Sequence, residues 1–215
     1  MKGHSERVPN KNLRKFNEKP LLYWILDSLS QSEWINDILI NTDSKEIAET
    51  AKEFFDVKIH MRPDYLLKID SNEANQIMEY DINNHEADYY LQTHSTNPLL
   101  STETIDNAAE TFLNQDSHDS LMSVTSLRSR FYWPDGRGIN HDPQELIKTQ
   151  ELDPIYEENS CIYMFSRETF LKRKNRIGTN PLLFPINPIE AVDIDEKSDF
   201  LIAESIMMRL AQIED

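Results

Sequence analysis

The feature that most constrains this chain is a rhythm. Short apolar or β-branched runs ending in polar residues alternate with stretches of helical periodicity. The runs are "DILINTD", "VKIHMRP", "ADYYLQTH", "DSLMSVTSL", "CIYMF", "LLFPI" and "VDID". Between them lie "KPLLYWILDSLSQS", with Pro20 expected in the first helical turn, and "SKEIAETAKEFF", with Ser44 as its cap. "NEANQIMEYDI", "TETIDNAAETFL" and "SRETFLKR" continue the pattern. A last helix, "EKSDFLIAESIMMRLAQI", sets Phe200, Ala203, Ile206, Met207 and Leu210 on one face, its methionines read as core. Such alternation predicts an α/β layer fold with a mainly parallel sheet, because parallel strands need crossover helices. At 215 residues the chain fits a single domain over 1–215.

Residues 128–150, "RSRFYWPDGRGINHDPQELIKTQ", break the rhythm. Turn signals at "PDGRG" and "NHDP" predict an inserted arm with a hairpin. Phe131, Tyr132 and Trp133 within it are expected to pack on a partner subunit or on the ligand site.

Charge narrows the function. Lys and Arg number 22 against 38 Asp and Glu, a net charge of −16. So acidic a chain repels phosphate backbones, which argues against nucleic-acid binding. A phosphate ligand must then meet a local basic cluster or a metal. No apolar run approaches membrane-spanning length. One cysteine, Cys161, rules out an internal disulfide, and a reducing cytoplasm fits.

In open α/β sheets, ligands bind at the carboxyl ends of the strands. Four polar clusters fall there. The opening loop, "MKGHSERVPNKN", offers Gly3 for close backbone approach, Arg7 and Lys11 for charge, and successive amides for phosphate oxygens. Alone, it also reads as a basic tail, since it lacks Walker spacing. "NTD", ending at Asp43, reads equally as a helix cap. "QTHSTNPL" gathers His94, Thr96 and Asn97, although a lone histidine is more often structural. "VDIDEKSDF" carries Asp193 and Asp195, which in a strand would aim two carboxylates at one point and suit Mg²⁺. Its plainer reading is a solvated strand end followed by a helix cap.

Six stretches, "HSERVPNKN", "NTDSKEIAETA", "MRPDYL", "HSTNPL", "YEENSCIYMF" and "VDIDEKSDF", occur in the order and spacing of the cytidylyltransferases that activate acidic sugars. The chain resembles the acylneuraminate (nonulosonic acid) cytidylyltransferases over nearly its whole length. The resemblance implies a Rossmann-like three-layer nucleotidyltransferase fold and a homodimer formed through the arm. It implies transfer of CMP from CTP to a sialic or other nonulosonic acid, with pyrophosphate released and Mg²⁺ as cofactor. On it, Lys2, Gly3, Ser5, Arg7, Lys11, Asn12, Asp43 and Arg62 are the nucleotide-binding set. Arg7, Lys11, Asp193 and Asp195 are catalytic, and Asp193 and Asp195 hold the metal. His94, Thr96, Asn97 and Asn159 fall beside the sugar, with Gln150 in the arm.

Four positions depart from the commoner pattern: Glu6 and Glu157 replace basic residues, Leu100 an arginine, and Ser160 a glycine. A keto-acid sugar needs a cation for its carboxylate, and Arg130 and Lys148 in the arm are the expected substitutes. The rival readings are a nucleotidyltransferase using another nucleotide or 3-deoxy-octulosonate, and an inactive binding or scaffold subunit. Finally, the family has a short apolar strand before the position of Met1. The expectation is that five to eight residues, about one strand by typical length, belong ahead of it.

Overall fold

The structure, a computed structural model, describes residues 1–5, 7–68 and 74–212. Glu6, the first two residues of the expected helix (Asn72 and Glu73) and Ile213 at the end of the last one lie outside these. A 3-10 turn at Lys11–Leu13 closes the opening loop and leads into a small antiparallel pair, β1 (Lys15–Phe16) and β2 (Lys19–Pro20). Helix α1 (Leu21–Ser30) follows. Pro20 is its extended N-cap rather than part of its first turn, because Lys19 and Pro20 are still paired with Lys15 and Phe16.

The expected alternation continues as β3 (Leu39–Thr42), α2 (Lys45–Phe54), β4 (Lys58–Met61), α3 (Ala74–Asn84), β5 (Tyr89–Gln92), α4 (Thr102–Leu113) and β6 (Ser120–Leu127). Next come β7 (Ile155–Ser166), α5 (Arg167–Arg173), β8 (Pro181–Pro185) and α6 (Lys197–Ala211). Serine caps start three of the helices. Ser44, Ser101 and Ser166 accept from the backbone N–H of Ile47, Thr104 and Thr169, each satisfying a donor that the helix leaves unpaired.

Strands β3 and β4 pair in parallel, and β6 pairs with β8 in parallel. β7 runs against both β5 and β6, so the four-stranded sheet β5-β7-β6-β8 is mixed. "VDID" forms no strand: residues 192–195 are irregular. Their backbone is pinned instead by the Ile194 N–H, which donates to the Thr96 carbonyl at 2.9 Å.

One core joins both sheets. Leu22, Ile25 and Leu26 of α1, Ile47 and Ala51 of α2, and Ile105, Ala108, Ala109 and Phe112 of α4 pack on Ile40, Leu121, Ile162 and Met164. Each such fully buried large side chain contributes about 1.5–3 kcal/mol. A second cluster, Phe16, Leu21, Leu99, Ile194, Phe200 and Ala203, ties α6 to the site region. Of the five residues expected on the inner face of α6, Ile206 and Met207 pack partly against this cluster. Leu210 is exposed, and so is Met208, because the helix leaves the core after its third turn.

The arm holds the expected hairpin: Tyr132 bridges Gly138, and Gly136 adopts φ +88°, which the turn there requires. Tyr132 stacks edge-on against His141, and both Tyr132 and Trp133 stay half exposed.

Candidate active site

Ile194 is fully buried, and it plants the two aspartates on either side of it at the surface of the site. The carboxylate of Asp199 accepts from the N–H groups of Asp195 (3.0 Å) and Glu196 (2.7 Å), completing a capping box at the start of α6. The cap that begins the helix therefore also fixes Asp195.

The opening loop closes on this pair. Arg7 meets Asp195 at 2.9 Å, and Lys11 Nζ donates to the Ile194 carbonyl at 2.6 Å and lies 3.4 Å from the other Asp195 oxygen. Burial raises the Asp193 carboxyl above its ordinary value. A hydrogen bond from Thr96 opposes that shift, and the charge of Asp195 adds to it. Two carboxylates flanking Ile194 offer the hard oxygen donors that a divalent cation takes. Among the described residues no group of three or more His, Cys, Asp or Glu gathers to hold a metal alone. Mg²⁺ commonly takes one or two carboxylates and completes its shell with water and phosphate oxygens, so the donors present fit it.

The other residues expected to bind the nucleotide are tied to the opening loop and to the end of β3. Gly3 N–H donates to Asp43 Oδ1 at 2.5 Å, and a side chain on Gly3 would place its Cβ 2.7 Å from Ser44 Cβ. Asn12 is buried, donates to the Lys2 carbonyl at 2.9 Å and accepts from Ser95 Oγ at 2.6 Å, so it stitches the opening loop to the loop after β5. Arg62 Nε donates to Asn41 Oδ1 at 2.8 Å. Asn41 in turn donates to Asp81 Oδ1 at 2.8 Å, and His60 Nδ1 lies 2.7 Å from the same oxygen. The sequence reading missed His60 and Asp81, since an alternating strand and a polar helix give no sign that they meet. The Met1 amino group, its pKa lowered to about 5 chiefly by burial, donates to the Asn41 carbonyl on the edge of β3 away from β4. Ser5 sits in the loop between Gly3 and Arg7.

The loop after β5 is bonded to the aspartate segment and to the opening loop. His94 is held near pKa 4, chiefly by burial and then by the positive charges of Arg176, the chain's N-terminus and Lys11. It is therefore neutral at pH 7 and a weak proton acceptor. Among the described residues, its Nε2, Thr93 Oγ1 and Asn97 Oδ1 are buried without a hydrogen-bond partner. Asn97 Nδ2 donates to the Val192 carbonyl at 3.3 Å, another tie to the aspartate segment. Burial pushes the Cys161 thiol up to about 12, with Asp193 and Glu190 adding to it, so this cysteine is inert at neutral pH.

Asn159 sits in a wide bulge of β7, where register jumps from Met122↔Tyr163 to Val124↔Glu158. Its Oδ1 accepts from Ser123 Oγ at 2.6 Å and its Nδ2 donates to Thr125 Oγ1 at 3.2 Å. Ser160, next to it, has φ +60°, the conformation that favours glycine. The remaining sugar candidates stay in the arm. Arg130 donates to the Ile147 carbonyl, Lys148 lies 3.9 Å from Glu151, and the Gln150 carbonyl accepts from Arg128.

Comparison with known proteins follows this geometry. A family model described as cytidylyltransferase matches residues 1–214. The post-translational flagellin modification protein B of Campylobacter coli is 28% identical, covering 96% of this chain and 92% of that one. The CMP-N,N'-diacetyllegionaminic acid synthase of Legionella pneumophila is also 28% identical, covering 94% and 91%. N-acylneuraminate cytidylyltransferase A of Danio rerio is 26% identical over 97% of this chain, which spans about half (49%) of that protein's length. Among solved structures, a CMP:2-keto-3-deoxy-manno-octonic acid synthetase complexed with CTP superposes with a TM-score of 0.71 over 97% of this chain and 96% of that one. At 11% identity, that likeness shows a shared fold. With the fold shared and the family model spanning all but the last residue, the chain belongs to the cytidylyltransferase family and is a nucleotidyltransferase.

Proposed function

We propose that this protein transfers CMP from CTP to the anomeric hydroxyl of an acidic keto-sugar of the nonulosonic type, in a Mg²⁺-dependent reaction that releases pyrophosphate. The observation that carries the reading is the closing of Arg7 and Lys11 of the opening loop on Asp195, next to Asp193 and its hydrogen-bond partner Thr96. The names of the Legionella and zebrafish relatives support the acceptor class.

In this reading the anomeric oxygen attacks the α-phosphorus in line, and the bond to the departing pyrophosphate breaks. Arg7 and Lys11 turn from Asp195 to the β- and γ-phosphates, where their charge stabilises the leaving group. Gly3, pressed against Ser44, lets the loop backbone lie close to the phosphates. Arg62, braced by Asn41 and Asp81, faces the nucleotide. Asp193 and Asp195 would hold Mg²⁺, which would neutralise phosphate charge and ease loss of the hydroxyl proton to water. Neutral His94 and Asn97 offer polar atoms to the sugar. The protein works in the cytoplasm, where CTP is made, as a homodimer joined through residues 128–150.

The test is pyrophosphate release by the purified protein with Mg²⁺, each nucleoside triphosphate in turn, and a panel of N-acetylneuraminic, legionaminic, pseudaminic and 3-deoxy-octulosonic acids. Turnover with CTP and a nine-carbon acid, abolished by EDTA, is expected. Turnover with another nucleotide, or none with any acid, contradicts the reading.

A further inference from the structure

A sugar acid brings a carboxylate into the site, and a cation must meet it. Arg7 and Lys11, paired with Asp195, are assigned above to the phosphates, and Arg62 is bonded to Asn41. Arg130 and Lys148 make their contacts within the arm. Arg176, in the loop between α5 and β8, is differently placed.

Its guanidinium carbon lies over the Tyr163 ring, 3.7 Å from the centroid, a cation–π contact that anchors the group. Tyr163 is fully buried and rigidly held, its hydroxyl bonded to Glu158 and, at 3.0 Å, to Ser160. Glu158 lies at the end of the β7 bulge, which brings its carboxylate to 4.0 Å from Arg176. Arg176 Nη1 donates to Gln92 Oε1 at 3.1 Å, and Gln92 ends β5 two residues before His94. The Arg176 charge is felt at His94 together with that of Lys11. The side chain is 24% exposed, so it is shielded on most sides and open on one.

We infer that Arg176 is the specificity-determining cation of the acceptor site, held on Tyr163 and by Gln92 to receive the carboxylate of the sugar acid. The inference rests on the reaction proposed above and names the residue that selects its acceptor. With Nη1 bonded to Gln92 and Nη2 4.0 Å from Glu158, the guanidinium still has N–H groups that an incoming carboxylate can share. It supplies from the α5–β8 loop the charge that Glu157 does not. The partial shielding makes such a bond stronger than on an open surface.

The experiment compares wild type with Arg176→Gln and Arg176→Lys. Each is assayed with whichever sugar acid of the panel the wild type turns over, and with the 1-amide of that sugar, which keeps the anomeric hydroxyl but has no charge. Arg176→Gln should raise KM for the acid by 10- to 100-fold, leave KM for CTP within about twofold, and bring the acid and amide to similar kcat/KM. Arg176→Lys should keep part of the preference for the acid, and it carries the test if the glutamine variant fails to fold. An unchanged preference for the acid in Arg176→Gln overturns the assignment, and so does loss of that preference in Arg130→Gln instead. Should the wild type turn over no sugar acid, the proposed reaction itself falls, a result distinct from either of these.

Discussion

Asp195 holds Arg7 on one carboxylate oxygen and Lys11 near the other, while Ile194 anchors it from below. The Arg7 pair is about half exposed, so it contributes little to stability. Asp193→Asn or Asp195→Asn should therefore leave the thermal midpoint within a few degrees. Either change should cut kcat by at least about a hundredfold, the scale of losing one charge stabiliser at a transition state. Near-normal turnover at saturating Mg²⁺ would remove these residues from the chemistry. Gly3→Ala tests the loop above them: with Cβ only 2.7 Å from Ser44 Cβ, the backbone must shift, and KM for CTP should rise about tenfold or more. His94 adds a pH dependence. Its pKa is near 4 when folded and ordinarily about 6.5, so the unfolded chain binds the extra proton first as pH falls. Its contribution is neutral above pH 6.5, and stability is lost between pH 6.5 and 4, by up to about 3 kcal/mol. Chemical denaturation at pH 7 and pH 4.5 should show that loss, and His94→Gln should lessen it. Most of these residues were legible from the sequence as polar clusters at strand ends. Arg176 was not, because in "LKRKNRIG" it is one basic residue among several, and only the β7 bulge and the Tyr163 ring distinguish it.

The helices and most strands were readable because local chemistry and tertiary packing agree. Ser101 caps α4 by accepting from Thr104, and its hydroxyl also donates to Glu190 Oε1 at 3.0 Å. Ser101→Ala should cost about 1 kcal/mol or more, seen as a lowered urea midpoint with an unchanged slope. The segment "VDID" was misread as a strand because its alternation suits one, yet Ile194 pairs with a loop carbonyl at Thr96 and with no strand. The reversal of β7 was not readable either, since apolar runs carry no sign of direction. β3 presents Leu39 and Asn41 on the edge away from β4, and Asn41 accepts there from the Met1 amino group. Asn12 ties Lys2 to Ser95 beyond β5.

At the scale of the whole molecule, the arm of residues 128–150 carries large apolar side chains outside the core. Leu146 in that arm is 96% exposed, and Tyr132 and Trp133 are each 51% exposed. Exposed apolar side chains of this size fit an interface. Light scattering should give twice the chain mass of 25.2 kDa, and Leu146→Glu with Trp133→Glu should reduce it to one. A monomeric wild type would end the dimer proposal. The central claim, joining CMP to a sugar acid at the Asp193/Asp195 site, is tested most directly by ³¹P NMR of CTP, Mg²⁺ and the acid. The three CTP signals should give way to one phosphodiester signal and one pyrophosphate signal, in equal molar amounts, with wild type but not with Asp193→Asn. Release of CMP or CDP without a phosphodiester, or the same product from both proteins, would contradict it.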